Sequence, residues 1–258
     1  MTGRVTLVGG GPGRADLLTV AAVRALGDAD VVLYDRLAPS EALAEYAPTA
    51  ELVDVGKRPG HHAIPQHEIE ALLVEHALAG RHAVRLKGGD PYVLGRGSEE
   101  VLACHRAGVS IEVIPGVTSA VSVPGAAGIP LTHRGLSHLF TVVSGHAPLT
   151  ATELEHLAGL GGTIVVLMGV NSLPSLTAGL ARFGMSADMP VAIVERGFRP
   201  DQRTTIGSLT DIVVTAGRAG VTSPAVVVVG EVVRLAHDGD ARAAELMQRA
   251  AGFAAVAS

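Results

Sequence analysis

The chain is poor in several residue types, and each shortage excludes something. Cys104 is its only cysteine among 258 residues. An intrachain disulfide and a cysteine-built metal site are therefore ruled out, and a reducing compartment fits best. Tryptophan is absent and aromatic residues make up 3%, so a core must come from Val, Leu, Ala and Ile. No apolar run reaches the roughly 18 residues of a membrane-spanning helix. The N-terminal MTGRVTLVGGGPG meets glycines before any stretch of signal-peptide length. The expectation is a cytoplasmic chain without a membrane anchor. Basic residues are outnumbered, with 20 Lys and Arg against 25 Asp and Glu and a formal charge of −5. This argues against a general nucleic-acid or anionic-membrane binder. An anionic ligand would need a local cluster of bases.

What is present is alternation. Short β-branched runs at 4–9, 29–34, 82–87 and 109–114 read as strands, and the amphipathic segments 16–27, 66–80 and 98–108 read as helices, each closing at a glycine. Strand–helix alternation predicts an α/β fold with a mostly parallel sheet. After residue 135 strands are expected at 138–145, 162–169, 189–197, 202–209 and 223–233, the last pair spaced for antiparallel pairing. Helices are expected at 153–160, 175–184 and 240–253. The Gly/Pro-rich stretch PGAAGIPLTHRG at 124–135 predicts a boundary between a domain at 1–135 and another at 136–258.

Three loops stand where predicted strands end. GGGPG at 9–13 misses the dinucleotide fingerprint, because Arg14 occupies the third glycine position. Pro12 also removes a backbone donor. A tight turn and a binding role both fit this loop. KGGDP at 87–91 offers Gly88 and Gly89 for close approach of a ligand to main chain, with Asp90 as a strong acceptor. Neither loop has the spacing of a triphosphate cradle, which disfavours a kinase or ATPase. PGVTSA at 115–120 puts Thr118 and Ser119 at a helix start, as simple caps or as a third wall of the same crevice. Ligands of open α/β sheets bind outside the carboxyl ends of strands, so the three loops point to one place. The pattern HH-x4-H at 61–67 lies in a Pro/Gly-bounded loop without cysteine or paired carboxylates, and no metal is assigned.

Read in order, VGGGPGRADLLT, YDRL, GKR, KGGDPYVLGRG, IPGVTSA, GIPLTHR, LMG, ERG and PAVVVVGEVV resemble the uroporphyrinogen-III C-methyltransferases of the tetrapyrrole methyltransferase superfamily. The resemblance runs from about residue 4 to about residue 235. It implies two α/β domains with S-adenosylmethionine in a cleft between them, commonly as a homodimer. The implied cofactor contacts are Pro12, Gly88, Gly89, Asp90, Val93, Thr118, Ser119, Met168 and Gly197. Taken alone, Met168 reads equally well as a core methionine. Residues 198–201 depart from the family's pattern and bear on the substrate rim.

The implied reaction is sequential transfer of two methyl groups to carbons 2 and 7 of uroporphyrinogen III, through precorrin-1 to precorrin-2, by a stand-alone enzyme. Positioning and desolvation should dominate such chemistry, with proton transfer assisting as the macrocycle rearranges. The family's acid/base pair maps onto Asp35 and Lys57, although Asp35 alone also reads as a helix cap. The carboxylate-rich substrate suits the bases Arg36, Lys57, Arg58, Arg96, Arg134 and Arg203, with His133 as a further contact. A sister enzyme acting on a later corrin precursor, a catalytically idle cofactor-binding module and a nicotinamide oxidoreductase are the alternatives.

Overall fold

The computed structural model describes residues 2–56 and 64–236. Lys57, Arg58 and the helix expected at 240–253 lie outside the described residues. The chain divides into two compact units, Met1–Ser119 and Ala120–Ser258.

The first unit holds strands β1 (Arg4–Gly9), β2 (Val31–Tyr34), β3 (Glu51–Asp54), β4 (His82–Lys87) and β5 (Ser110–Ile114). They form one sheet in the order β3-β2-β4-β1-β5, and every pairing is parallel. The helices are α1 (Val20–Gly27), α2 (Leu43–Tyr46), α3 (Gln66–Leu78) and α4 (Gly97–Arg106). Side chains alternate across a strand, so each sheet face carries its own core. Val5, Leu7, Val31 and Leu33 pack with Ile69 and Leu73 of α3 and Cys104 of α4. Val8, Val32, Val84 and Leu86 pack with Ala22 and Leu26 of α1 and Leu43 of α2. This is the expected mixed α/β arrangement, covered on both faces as parallel sheets require. Burial pushes the Cys104 thiol up to about 11, and the nearby Glu100 and Glu70 add to the effect.

The second unit contains β6 (Phe140–Ser144), β7 (Thr163–Leu167), β8 (Pro190–Glu195), β9 (Arg203–Ser208) and β10 (Ala225–Val229), ordered β6-β7-β10-β8-β9. Only β6 and β7 run parallel. The antiparallel texture was legible, but β9 and β10 do not pair with each other, because β8 lies between them. The helix α5 (Ser119–Ala126) opens the unit, followed by α6 (Ala151–Leu160), α7 (Leu173–Arg182) and α8 (Ile212–Ala219). Thr150 and Glu153 close a reciprocal capping box at the start of α6.

The units part ahead of the Gly/Pro-rich stretch 124–135. Pro124 lies inside α5, and Ala120, Val123, Ala127, Ile129 and Leu131 pack with Val165, Val194 and Val228 in the second unit's core. A stretch that reads as a linker by composition is anchored by its apolar residues.

Candidate active site

The first unit brings the three loops to the carboxyl ends of neighbouring strands β4, β1 and β5. Gly11 and Gly89 exchange backbone hydrogen bonds, Gly11 N to Gly89 O at 3.1 Å and Gly89 N to Gly11 O at 2.6 Å. Gly10 N donates to Lys87 O at 2.7 Å. The glycines permit this closeness. A methyl built at Gly116 would stand 2.3 Å from Gly89 O, and one at Gly88 would stand 2.6 Å from Leu37 Cβ. Gly89 is different, since the nearest atoms to its added carbon are Ser119 N at 3.8 Å and Ser119 Oγ at 3.9 Å. Of the KGGDP pair, Gly88 is thus required by protein packing, while Gly89 keeps an open main-chain face. The glycine loop after β1 does not lead directly into α1. A 3-10 turn at Ala15–Leu17 intervenes, and Thr19 caps α1 by accepting from Ala22 N at 3.1 Å. A phosphate cradle at that helix start is therefore not formed.

Asp90 ties two of the loops together. Its Oδ2 accepts from Gly116 N at 3.0 Å and its Oδ1 from Tyr92 N at 2.8 Å. Each oxygen keeps a lone pair for a further donor. Val93 is half-buried, with its N donating to Asp90 O at 3.3 Å. The coil continues through Leu94 and Arg96, whose φ values of 56° and 59° are unusual for residues with a side chain. Gly97 N closes it onto Pro91 O at 2.9 Å. Pro12, Thr118 and Ser119 are half-buried, and Ser119 begins α5.

Asp35 directly follows β2 and stands at a turn, with no helix beginning at it. Its Oδ1 accepts from Leu37 N at 3.0 Å and Ala38 N at 3.1 Å, which caps the local turn. Its Oδ2 faces Arg85 NH2 at 3.4 Å. Behind it lie Arg85, Lys87 and Glu100, buried charges that sequence reasoning passed over. The signal was present, because Arg85 and Lys87 interrupt an otherwise apolar strand two residues apart and therefore share a face. Gly56, the last described residue before Lys57, packs against this turn, and a methyl on it would stand 2.8 Å from Arg36 N.

The remaining predicted residues separate by pairing. Arg36 and Arg134 are exposed and make no ion pair with another described residue. Arg96 is bound by Glu99, with NH2 to Oε2 at 2.6 Å. Arg203 contacts Glu195 Oε2 at 2.7 Å and donates to Gly220 O at 3.1 Å. His133 has a buried Nδ1 without a hydrogen-bond partner among the described residues, in a loop spanning Thr132 to His138 around a cavity of about 620 Å³.

In the second unit, Met168 is 47% exposed with φ 60°, which does not fit an ordinary core methionine. Gly197 lies between two left-handed residues, Arg196 at φ 48° and Phe198 at φ 66°. Such strain persists only where surrounding contacts hold it. Here Gln202 accepts from Phe198 N at 2.8 Å and donates to Ala126 O at 3.2 Å, fixing the atypical 198–201 stretch. Among the described residues, no group of three His, Cys, Asp or Glu is placed to hold a metal.

The model of the Tetrapyrrole (Corrin/Porphyrin) Methylases matches residues 4–213. An S-adenosyl-L-methionine-dependent uroporphyrinogen III methyltransferase of Methanosarcina barkeri is 47% identical, the alignment covering 92% of this chain and 94% of that protein. A siroheme synthase of Gluconacetobacter diazotrophicus is 46% identical over 90% of this chain, but the alignment spans only 50% of that longer protein. Among solved structures, uroporphyrin-III C-methyl transferase from Thermus thermophilus, complexed with S-adenyl homocysteine, superposes with a TM-score of 0.76 at 46% identity, covering 90% of this chain and all of that one. A family match across most of the chain, with the family's glycine loops standing at adjacent strand ends, establishes that the chain belongs to the tetrapyrrole methylase family.

Proposed function

We propose that this protein is a uroporphyrinogen-III C-methyltransferase that transfers two methyl groups from S-adenosylmethionine to carbons 2 and 7 of its substrate, forming precorrin-2. The observation that carries the reading is the meeting of GGGPG, KGGDP and PGVTSA at neighbouring strand ends, with Gly89 as the open face. The near full-length similarity to a uroporphyrinogen III methyltransferase supports the substrate.

The residues present fit the methyl donor. Gly89 lets a ligand lie against main chain, and Asp90 and Ser119 border that face with acceptor and hydroxyl groups. When bound, S-adenosylmethionine supplies an electrophilic methyl on a sulfonium. Pro12, Val93 and Thr118 complete the cofactor's surroundings in the first unit, and the family resemblance adds Met168 and Gly197 to the candidate cofactor contacts. Arg36 and Arg134, with Arg58 and His133, hold and orient substrate carboxylates. Arg96 and Arg203 serve this role by exchanging their present carboxylate partners for the substrate's. Asp35 accepts the proton released as the macrocycle rearranges, and Lys57 is its acid partner. No step calls on a metal.

The protein works in the cytoplasm as a homodimer, a setting that suits its single, buried cysteine. Among the described residues no helix is long and apolar enough to cross a membrane.

Anaerobic incubation with uroporphyrinogen III and S-adenosylmethionine, followed by mass spectrometry, should reveal a product carrying two added methyl groups. Cofactor binding without methyl transfer would direct the assignment to a later corrin precursor or to a binding module.

A further inference from the structure

Inside the first unit four charged side chains form a continuous line that ends at Asp35. Glu100 is fully buried and Arg85 and Lys87 are 4% exposed. Lys87 Nζ donates to Glu100 Oε1 at 3.0 Å and stands 2.8 Å from Oε2. Arg85 Nε donates to Glu100 Oε1 at 3.1 Å. Its NH1 donates to Leu86 O at 2.9 Å and Leu33 O at 3.4 Å. Its NH2 reaches Asp35 Oδ2 at 3.4 Å. All three guanidinium nitrogens are thus engaged, and the group cannot turn without breaking buried bonds. The turn at Leu37 and Ala38 fixes Oδ1 of Asp35, whereas Oδ2 meets Arg85 alone among the described residues.

Stability alone does not explain this line, since apolar residues of similar volume commonly replace buried ion pairs without loss. Burial, and next the positive Arg85, pull the Lys87 ammonium below the ordinary lysine range, while Glu100 opposes them. The arrangement is kept despite strong desolvation, and its one partly exposed member is Asp35, at 28%.

We propose that Arg85, fixed by the Glu100–Lys87 pair, is a positioning residue for Asp35 that sets where Oδ2 stands to accept the substrate proton. The inference rests on the reading of Asp35 as the base.

The test is a mutant cycle in the full chain, measuring kcat and KM for uroporphyrinogen III and S-adenosylmethionine, with S-adenosylhomocysteine affinity as a check on folding. Arg85→Lys keeps a cation but loses the fork that spans Glu100 and Asp35. Its kcat should fall about tenfold or more, with KM values and S-adenosylhomocysteine affinity within about twofold. Combined with Asp35→Asn, it should lower kcat no further than Asp35→Asn does alone, because both changes disable one unit. Should Arg85→Lys fail the binding check, Arg85→Gln takes its place in the cycle, since it leaves Glu100 balanced by Lys87. Normal kcat in the Arg85 variant, or losses that multiply in the double variant, would overturn the positioning role while leaving Asp35 as base. Normal kcat in Asp35→Asn would remove the base reading itself and the inference with it.

Discussion

Glu195 illustrates how much a single residue can organise. Its carboxylate is fully buried and receives Thr222 N at 2.9 Å, Arg196 NH1 at 3.0 Å and Arg203 Nε at 2.7 Å. Burial is the largest influence and pushes its pKa up, but the Thr222 N–H, Arg203 and Arg196 together outweigh it and leave the group below the usual glutamate range. A folded-state value below the unfolded one stabilises the protein at pH above about 4.3, and that contribution disappears as pH falls through the folded value. Glu195→Gln should therefore melt at lower temperature near neutrality, and its thermal-denaturation curves should converge with those of wild type as pH drops toward 3. Parallel curves across that range would contradict the assignment. Arg203 stood out in the sequence as a basic residue, but its buried partner did not. The six residues of β8 that end in Glu195 read simply as a strand.

At the level of elements, the glycines do two separate jobs that a motif cannot distinguish. Gly9, Gly88 and Gly116 lie where another part of the chain fills the space of a side chain. Gly89 has room around it and a φ of 69°. Gly116→Ala should lose stability, on the order of 1–3 kcal/mol from overpacking. Gly89→Ala should incur only the left-handed backbone cost of about 1–2 kcal/mol, yet lose S-adenosylhomocysteine affinity about tenfold or more by filling the open face. Calorimetric titration beside thermal melts would separate the two, and equal affinity in Gly89→Ala would exclude that face from the site. The loops themselves were visible in the sequence, because each follows an apolar run and contains residues with narrow backbone uses. The short β3 and the helix α8 were not, and of α5 only the start near Ser119 was. Glu51–Asp54 is exposed to half-buried and has no strong alternation, while α5 begins among hydroxyls and runs through a proline. In each case tertiary contacts override weak local preference.

On the scale of the whole molecule, each unit has a sheet with an apolar core on either face, so neither depends on composition signals at a linker to be recognised as a body. The homodimer assignment belongs at this scale. Sedimentation velocity should give a mass about twice the 26.3 kDa of the chain, and a single species at the chain mass would refute it. The sheet order also has a consequence for how the protein is made. β1 lies inside the sheet between β4 and β5 and pairs only with them, so the first strand synthesised has no paired strand until residue 87 has been added. At about 5–20 residues per second, β1 waits roughly 4–16 s for its first paired strand. The backbone edges of the earliest apolar segment are thus open to wrong partners, and β1 gains its flanking strands only after most of the first unit has been made.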